Sequence, residues 1–245
     1  MRENNPVFGF FATMLNLRER FDSDDFVFCF DHGPLKRNQI LPTYKERTRS
    51  PEHEEEHKQA KGIMLKLRTD ILPSLGFKNI VSQQGYEADD LIAAATIFGM
   101  DEGDEAVIIS ADRDLYQLLS PNVILYNPNT ETITNEKTLA DNWFGLEPKQ
   151  WAYVKAIAGC NSDKIPGIRG VGEKTAAKYV VGMLDQHIKS FGLIRNCPLE
   201  DFQKRMQLVK LPMDGTDLFD LEPQNVNWRK VQTYGSSVKE AEAVE

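Results

Sequence analysis

The sequence predicts an α/β protein with a mainly parallel sheet flanked by helices, joined to a smaller helical segment built around a glycine turn. Short apolar runs alternate with stretches of helical period up to residue 126, the order expected of strand–helix–strand units. The runs are continuous rather than alternating in polarity, as in strands covered on both faces. Beyond Pro148 the strand signals stop, and helix, Gly/Pro-rich turn and helix follow.

Residues 7–21 place Phe8, Phe11, Met14, Leu15 and Phe21 at helical spacing, and an acidic break at 22–25 ends the helix. Residues 26–30, FVFCF, read as a buried strand stopped by the turn sequence DHGP. The chain from Lys36 to Gln59 is polar and lacks a sustained apolar period. A helix is expected over Ala60–Leu72, with Ile63, Leu67 and Ile71 on one face and Pro73 as its stop. A short strand at 79–81, a helix over 87–100, a strand at 106–110, a short helix over 112–119 and a strand at 123–126 follow, with Ile133-Thr134 a further short strand. Gln150–Gly159 and Glu173–Val181 are helical, Asn161–Gly172 is the turn, and 186–228 read as helix and loop. The expected division is a core over 1–147, a helical subdomain over 148–232 and a frayed acidic tail over 233–245.

A chain of 245 residues with 41% hydrophobic residues builds a substantial core. Its net charge of −8 excludes nucleic-acid binding by overall charge, but not by a local basic surface. Cys29, Cys160 and Cys197 are few and widely spaced, which excludes a disulfide framework or a cysteine zinc site and fits a reducing cytoplasm. The apolar stretch at 7–15 runs into charged residues and reads as an amphipathic helix, not a signal peptide, and no run reaches membrane-spanning length.

The chemistry lies in where the carboxylates fall. Asp31 ends the first strand, Asp112 and Asp114 follow the strand AVIIS, Glu87, Asp89 and Asp90 open a helix, and Asp163 sits in the turn. Sites in open α/β sheets form beyond the carboxyl ends of strands, so these groups are expected together. Crowded carboxylates repel and need a cation; all-oxygen donors select Mg²⁺ or Mn²⁺ over zinc. The competing reading of each cluster is a helix cap stabilised by the macrodipole. Between Lys36 and Arg49 stand Lys36, Arg37, Tyr44, Lys45, Arg47 and Arg49, a basic stretch with an aromatic that suits single-stranded nucleic acid, or else a solvated loop. The segment IPGIRGVGEKTAAKYV, 165–180, combines glycines that admit close backbone approach with a helix N-terminus. Glu173 stands between Gly172 and Lys174, so it is no phosphate-binding P-loop. It suits a sugar–phosphate backbone held without base readout, or a helix pair that merely packs.

GYEADDLIAA, ISADRDLYQLL and SDKIPGIRGVGEKTAAKYV, in this order, resemble the 5′-nuclease family of flap endonucleases, phage 5′–3′ exonucleases and the exonuclease part of bacterial DNA polymerase I. The likeness covers most of Pro6–Val181 and extends to RMQLVKLP, 205–212. It implies a PIN-like 5′-nuclease core, and a metal-dependent 5′–3′ exonuclease or flap endonuclease acting near 5′ ends or branches in replication or repair. The implied metal ligands, which hold two ions in the family pattern, are Asp31, Glu87, Asp89, Asp90, Asp112, Asp114 and Asp163. Lys45 and Arg37 are implied as catalytic contacts to the scissile phosphate, within an arch over about 34–59. Tyr44, Arg47, Gly167, Gly170, Gly172, Lys174, Thr175 and Lys178 are implied as DNA contacts, the last six in a helix–hairpin–helix that often holds K⁺. Branched or 5′-ended DNA, or an RNA–DNA hybrid, is the implied partner, in a phage or bacterial cytoplasm and away from membranes.

Two departures stand out. The family opens with a strand ending in a metal-binding Asp, whereas this chain opens at a point after that strand, so the first carboxylate is not among its residues. A sheet that closes differently, a second polypeptide supplying the strand, or a start further upstream would each account for this. Where the family has Asp after Gly159, this chain has Cys160, and Lys164 replaces the family Asn. The alternative function is therefore DNA binding with little or no cleavage, or one half of a split nuclease.

Overall fold

The computed structural model describes residues 6–47, 50–101 and 103–236. In chain order it contains α1 (Pro6–Phe21), β1 (Phe28–Cys29), α2 (Arg37–Ile40), α3 (Pro51–Lys66), a π-helical turn (Leu67–Ile71), α4 (Leu72–Ser74), β2 (Ile80–Val81) and α5 (Ala88–Phe98). Then come β3 (Ala106–Ile109), a 3₁₀ helix (Arg113–Leu118), β4 (Val123–Asn127), β5 (Thr132–Thr134) and α6 (Glu136–Asn142). A 3₁₀ turn (Pro148–Gln150) leads to α7 (Trp151–Ala158), α8 (Glu173–Val180), α9 (Lys189–Arg195), α10 (Leu199–Val209) and α11 (Trp228–Ser236).

The described residues fall into two compact units. The first draws on segments Met1–Phe30, Arg47–Val81 and Glu222–Glu245. Its core is Phe11, Met14, Leu67, Leu72, Leu75, Phe77 and Val231, with Phe26, Phe28 and Trp228 packed against it. Strands β1 and β2 pair in parallel, Phe28 opposite Ile80 and Cys29 opposite Val81. The helix expected from residue 60 begins nine residues earlier. Ser50 caps it by accepting from the His53 amide, Pro51 takes the first turn, and Glu52 and Glu54 favour its N-terminal dipole. None of its residues is buried, so no apolar period announces it. Residues 233–236, expected to be part of a frayed tail, are helical: α11 runs to Ser236, and the Tyr234 ring lies 5.1 Å from that of Phe11. Residues 237–245 lie outside the described residues.

The second unit comprises Asp31–Glu46 and Ser82–Leu221. Strands β3 and β4 pair in parallel from Ala106–Val123 to Ile109–Tyr126, and β5 runs antiparallel to β4. One core joins Ile108, Leu115, Leu125 and Leu139 to Trp151, Val154, Ile157, Ala176 and Ala177. That core continues through the point at 147/148 where the sequence suggested a division. Gly167 explains the close fit of the turn: a Cβ there would stand 1.9 Å from the Ala158 carbonyl oxygen, so the backbone touches the end of α7 directly. Among the described residues no helix is long and apolar enough to cross a membrane.

Candidate functional site

All seven predicted carboxylates lie in the second unit. Glu87 precedes α5, and Asp89 and Asp90 occupy its first turn. Asp112 follows β3 and caps the 3₁₀ helix, its Oδ1 accepting from the Asp114 amide at 2.8 Å. The capping expectation is thus met at Asp112, which also lines the cleft described below. Asp31 accepts from the Ala88 amide at 2.7 Å and so caps α5. Asp163 reaches the same neighbourhood because the Lys45 amide donates to its carbonyl at 3.0 Å. Lys45 is held there in the left-handed region, φ 51°, at a cost of about 1–2 kcal/mol for a non-glycine residue.

A cleft of about 460 Å³ is lined by Asp112, Arg113, Asp114, Lys155, Cys160 and Asp163, with Glu173 at its side. Asp89 carries the electrostatic mark of the crowding. Burial, then the neighbouring charge of Asp112, pushes its carboxyl up from 3.8 to about 7, against the opposing pull of Lys45. Burial likewise raises the Asp114 carboxyl, opposed by Lys155. The Lys155 Nζ lies 2.8 Å from Asp114 Oδ1, a buried oxygen with no aligned hydrogen-bond donor among the described residues. Carboxylate oxygens that are buried, mutually repelling and short of donors fit a hard divalent cation.

Arg37, Glu87 and Asp90 form a second, buried charge cluster. Arg37, 2% exposed, donates from Nη1 to Glu87 Oε2 at 2.9 Å and to Asp90 Oδ2 at 2.5 Å, from Nη2 to Asp90 Oδ1 at 2.7 Å, and from Nε to the Leu208 carbonyl at 2.9 Å. Burial works against its charge, but Asp90 and Glu87 outweigh this and hold the guanidinium protonated. Asp90 also accepts from the Glu87 and Met213 amides, so both its oxygens are taken. Tyr44, 5% exposed, donates to Glu87 Oε2 at 2.7 Å. Lys45 completes the set by pairing with Glu87 Oε1.

Three sequence expectations are corrected by this burial. Arg37 faces carboxylates inside the protein and cannot touch a phosphate. Tyr44 offers no stacking face. Asp90 is committed to Arg37 and lacks a free oxygen for an ion. Gly167 is likewise a packing glycine, with no room for a ligand at its Cα. Gly170, at φ +83°, and Gly172, the cap of α8, have open space around them. Lys174 lies 3.7 Å from the Trp143 ring centroid and donates to the Asn142 carbonyl, and Lys178 lies 5.0 Å from the Phe144 ring. Thr175 is half-buried between them in sequence. Arg47 is exposed in the first unit, and Arg49 lies outside the described residues.

Sequence reasoning missed Lys155. It is 6% exposed and is the one charged residue of α7, WAYVKAIA; a single ammonium in an otherwise apolar helix was the available signal. Cys160 places Sγ 3.1 Å from Asp163 Oδ2 and 3.0 Å from Ser162 Oγ, and burial pushes its thiol up, toward the neutral form.

The chain belongs to the family described as the 5′-3′ exonuclease, N-terminal resolvase-like domain, whose model matches residues 2–144. The thermostable DNA polymerase I of Thermus thermophilus is 33% identical over 219 residues, 85% of this chain and 25% of the polymerase. A 5′-3′ exonuclease of Aquifex aeolicus is 31% identical over 219 residues, 86% of this chain and 72% of the exonuclease. The chain thus spans about a quarter of the polymerases it matches and most of the separate exonuclease. In structure it resembles the T5 5′-exonuclease bound to divalent zinc ions, with TM-score 0.67, 22% identity and coverage of 85% and 83% of the two chains. The bacteriophage T5 flap endonuclease in a pseudo-enzyme–product complex with DNA and metal ions matches with TM-score 0.70, 19% identity and coverage of 96% and 90%. The α/β fold expected from the sequence is therefore that of this nuclease family.

Proposed function

We propose that the chain is a divalent-metal-dependent 5′–3′ nuclease that hydrolyses phosphodiesters near 5′ ends or branches of DNA, with Mg²⁺ or Mn²⁺ as the ion. The observation that carries this reading is that Asp112, Asp114 and Asp163 line one polar cleft, with Asp89 near enough to feel the charge of Asp112 and Lys45 near both Asp89 and Asp163. Asp89, Asp112, Asp114 and Asp163 would hold the metal, with Glu87 and Asp31 supporting the start of α5. Bound there, a divalent ion supplies a water of lowered pKa and charge compensation for a phosphoryl oxygen.

The chain's own residues do the rest. Lys45 is the phosphate-facing cation: its side chain is one-third exposed, while the carboxylate of Glu87 holds it charged despite burial. Arg37 and Tyr44 are positioning residues that fix Glu87. Gly170 and Gly172 leave backbone amides open at the start of α8, and Lys174 and Lys178 flank them, which suits a duplex backbone. A K⁺ ion at this turn belongs to the same proposal.

The test is Mg²⁺-dependent cleavage of a labelled 5′-flap DNA by the purified chain. Asp112→Asn should lower cleavage by about a hundredfold or more while leaving DNA affinity within a few-fold. Equal cleavage by the variant overturns the assignment. The neutral Cys160 thiol beside Asp163 favours the second reading, DNA binding without cleavage, which predicts salt-sensitive flap binding and no product.

A further inference from the structure

The cleft carries its own cation. Lys155 is buried on α7, with Nζ 2.8 Å from Asp114 Oδ1 and 3.6 Å from Glu173 Oε1. Glu173 is met again by Arg113, whose Nη1 lies 3.0 Å from Oε2. Cys160 covers Asp163 Oδ2 at 3.1 Å. Each carboxylate on this side of the cleft therefore already has a protein cation or a thiol beside it. The other side differs. The Asp89 carboxylate has no hydrogen bond among the described residues and feels the charge of Asp112, whose carboxylate accepts from the Asp114 amide.

We infer that Lys155 is a resident cation that satisfies the Asp114–Glu173 side of the cleft, so that this chain takes one divalent ion tightly, with Asp89 and Asp112 as its ligands, and a second only weakly. The inference rests on the metal-dependent reading above and concerns how many ions that cleft accepts. A second ion competes with an ammonium already paired to Asp114 and Glu173. Displacing it breaks a largely buried ion pair, which is more costly than displacing water.

Titration of the purified full chain with Mn²⁺, followed by the paramagnetic resonance signal of the free ion, reads the stoichiometry without turnover. The wild type should show one tight ion, lost in Asp112→Asn. Lys155→Met should show two, the second bound about tenfold or more tighter than any weak ion of the wild type. Lys155→Gln, which removes the charge but keeps a donor on a shorter stem, is the second variant, and circular dichroism checks that each is folded. Two ions of similar affinity in the wild type, or a single ion in a folded Lys155 variant, overturn the inference while leaving metal dependence intact. No ion bound by the wild type overturns metal dependence as well.

Discussion

Replacing Arg37 by Met would remove the one cation inside the Arg37–Glu87–Asp90 cluster. Three guanidinium bonds to carboxylates, at 2.9, 2.5 and 2.7 Å, disappear with the bond to the Leu208 carbonyl. Glu87 and Asp90 are 4% and 0% exposed, so water cannot replace what is lost. Breaking a buried pair in this way costs about 3–5 kcal/mol, most of it the penalty of leaving the partner charge unpaired. Urea unfolding at neutral pH measures it: at ordinary urea slopes the midpoint should fall by roughly 1–3 M with the slope unchanged. Neutralising the stranded acids in Arg37→Met/Glu87→Gln/Asp90→Leu should recover much of the loss, because a buried ion cluster and an apolar replacement are of similar stability. A loss below about 1 kcal/mol in Arg37→Met would refute the argument, since it would mean that the cluster is hydrated in solution.

Other outcomes follow from the same geometry. Asp89 is raised to about 7, so between about pH 4 and pH 7 the unfolded chain ionises it first and stability falls as pH rises; a divalent ion needs the ionised form, so Mn²⁺ should raise Tm more at about pH 7.5 than at about pH 5.5. Equal shifts at both values would remove Asp89 from the ion's ligands. Gly167→Ala forces a Cβ to 1.9 Å from the Ala158 oxygen, and overpacking of about 3 kcal/mol or more should lower Tm by roughly 6–12 °C in a thermal melt. Tyr44→Phe deletes a 2.7 Å bond to Glu87 and should cost about 1–2 kcal/mol by urea titration, with single-strand DNA affinity unchanged; a loss of affinity at constant stability would restore Tyr44 as a stacking residue.

The strands and helices of the second unit were readable because β3 and β4 are short apolar runs between turn residues, and α5 and α7 carry apolar faces. The start of α3 was not, because its stabilisation comes from Ser50, Pro51 and first-turn acids rather than from burial. At the site, the carboxylates were legible as a group because several follow strands or open helices, although Asp31 and Asp112 also serve there as caps. What each cation does was not. Arg37, Tyr44 and Lys45 lie close together in sequence and share one compositional signal, yet two are buried beneath Glu87 and one is partly exposed. Residue type records charge and ring; the burial of Arg37 depends on Leu208, 171 positions further along.

The contact between Gly167 and the end of α7 has a mechanical corollary. Gly159 closes the same contact from the other side, its absent Cβ leaving room for the Gly167 amide at what would be 2.3 Å, and the Cys160–Ile165 bridge ties the loop between them. Two backbones in touch, pinned by a bridge, have no slack in which to slide. The turn that carries Cys160 and Asp163 is thereby seated on the end of the helix that carries Lys155, so a bulkier residue at either glycine would have to push cleft residues apart.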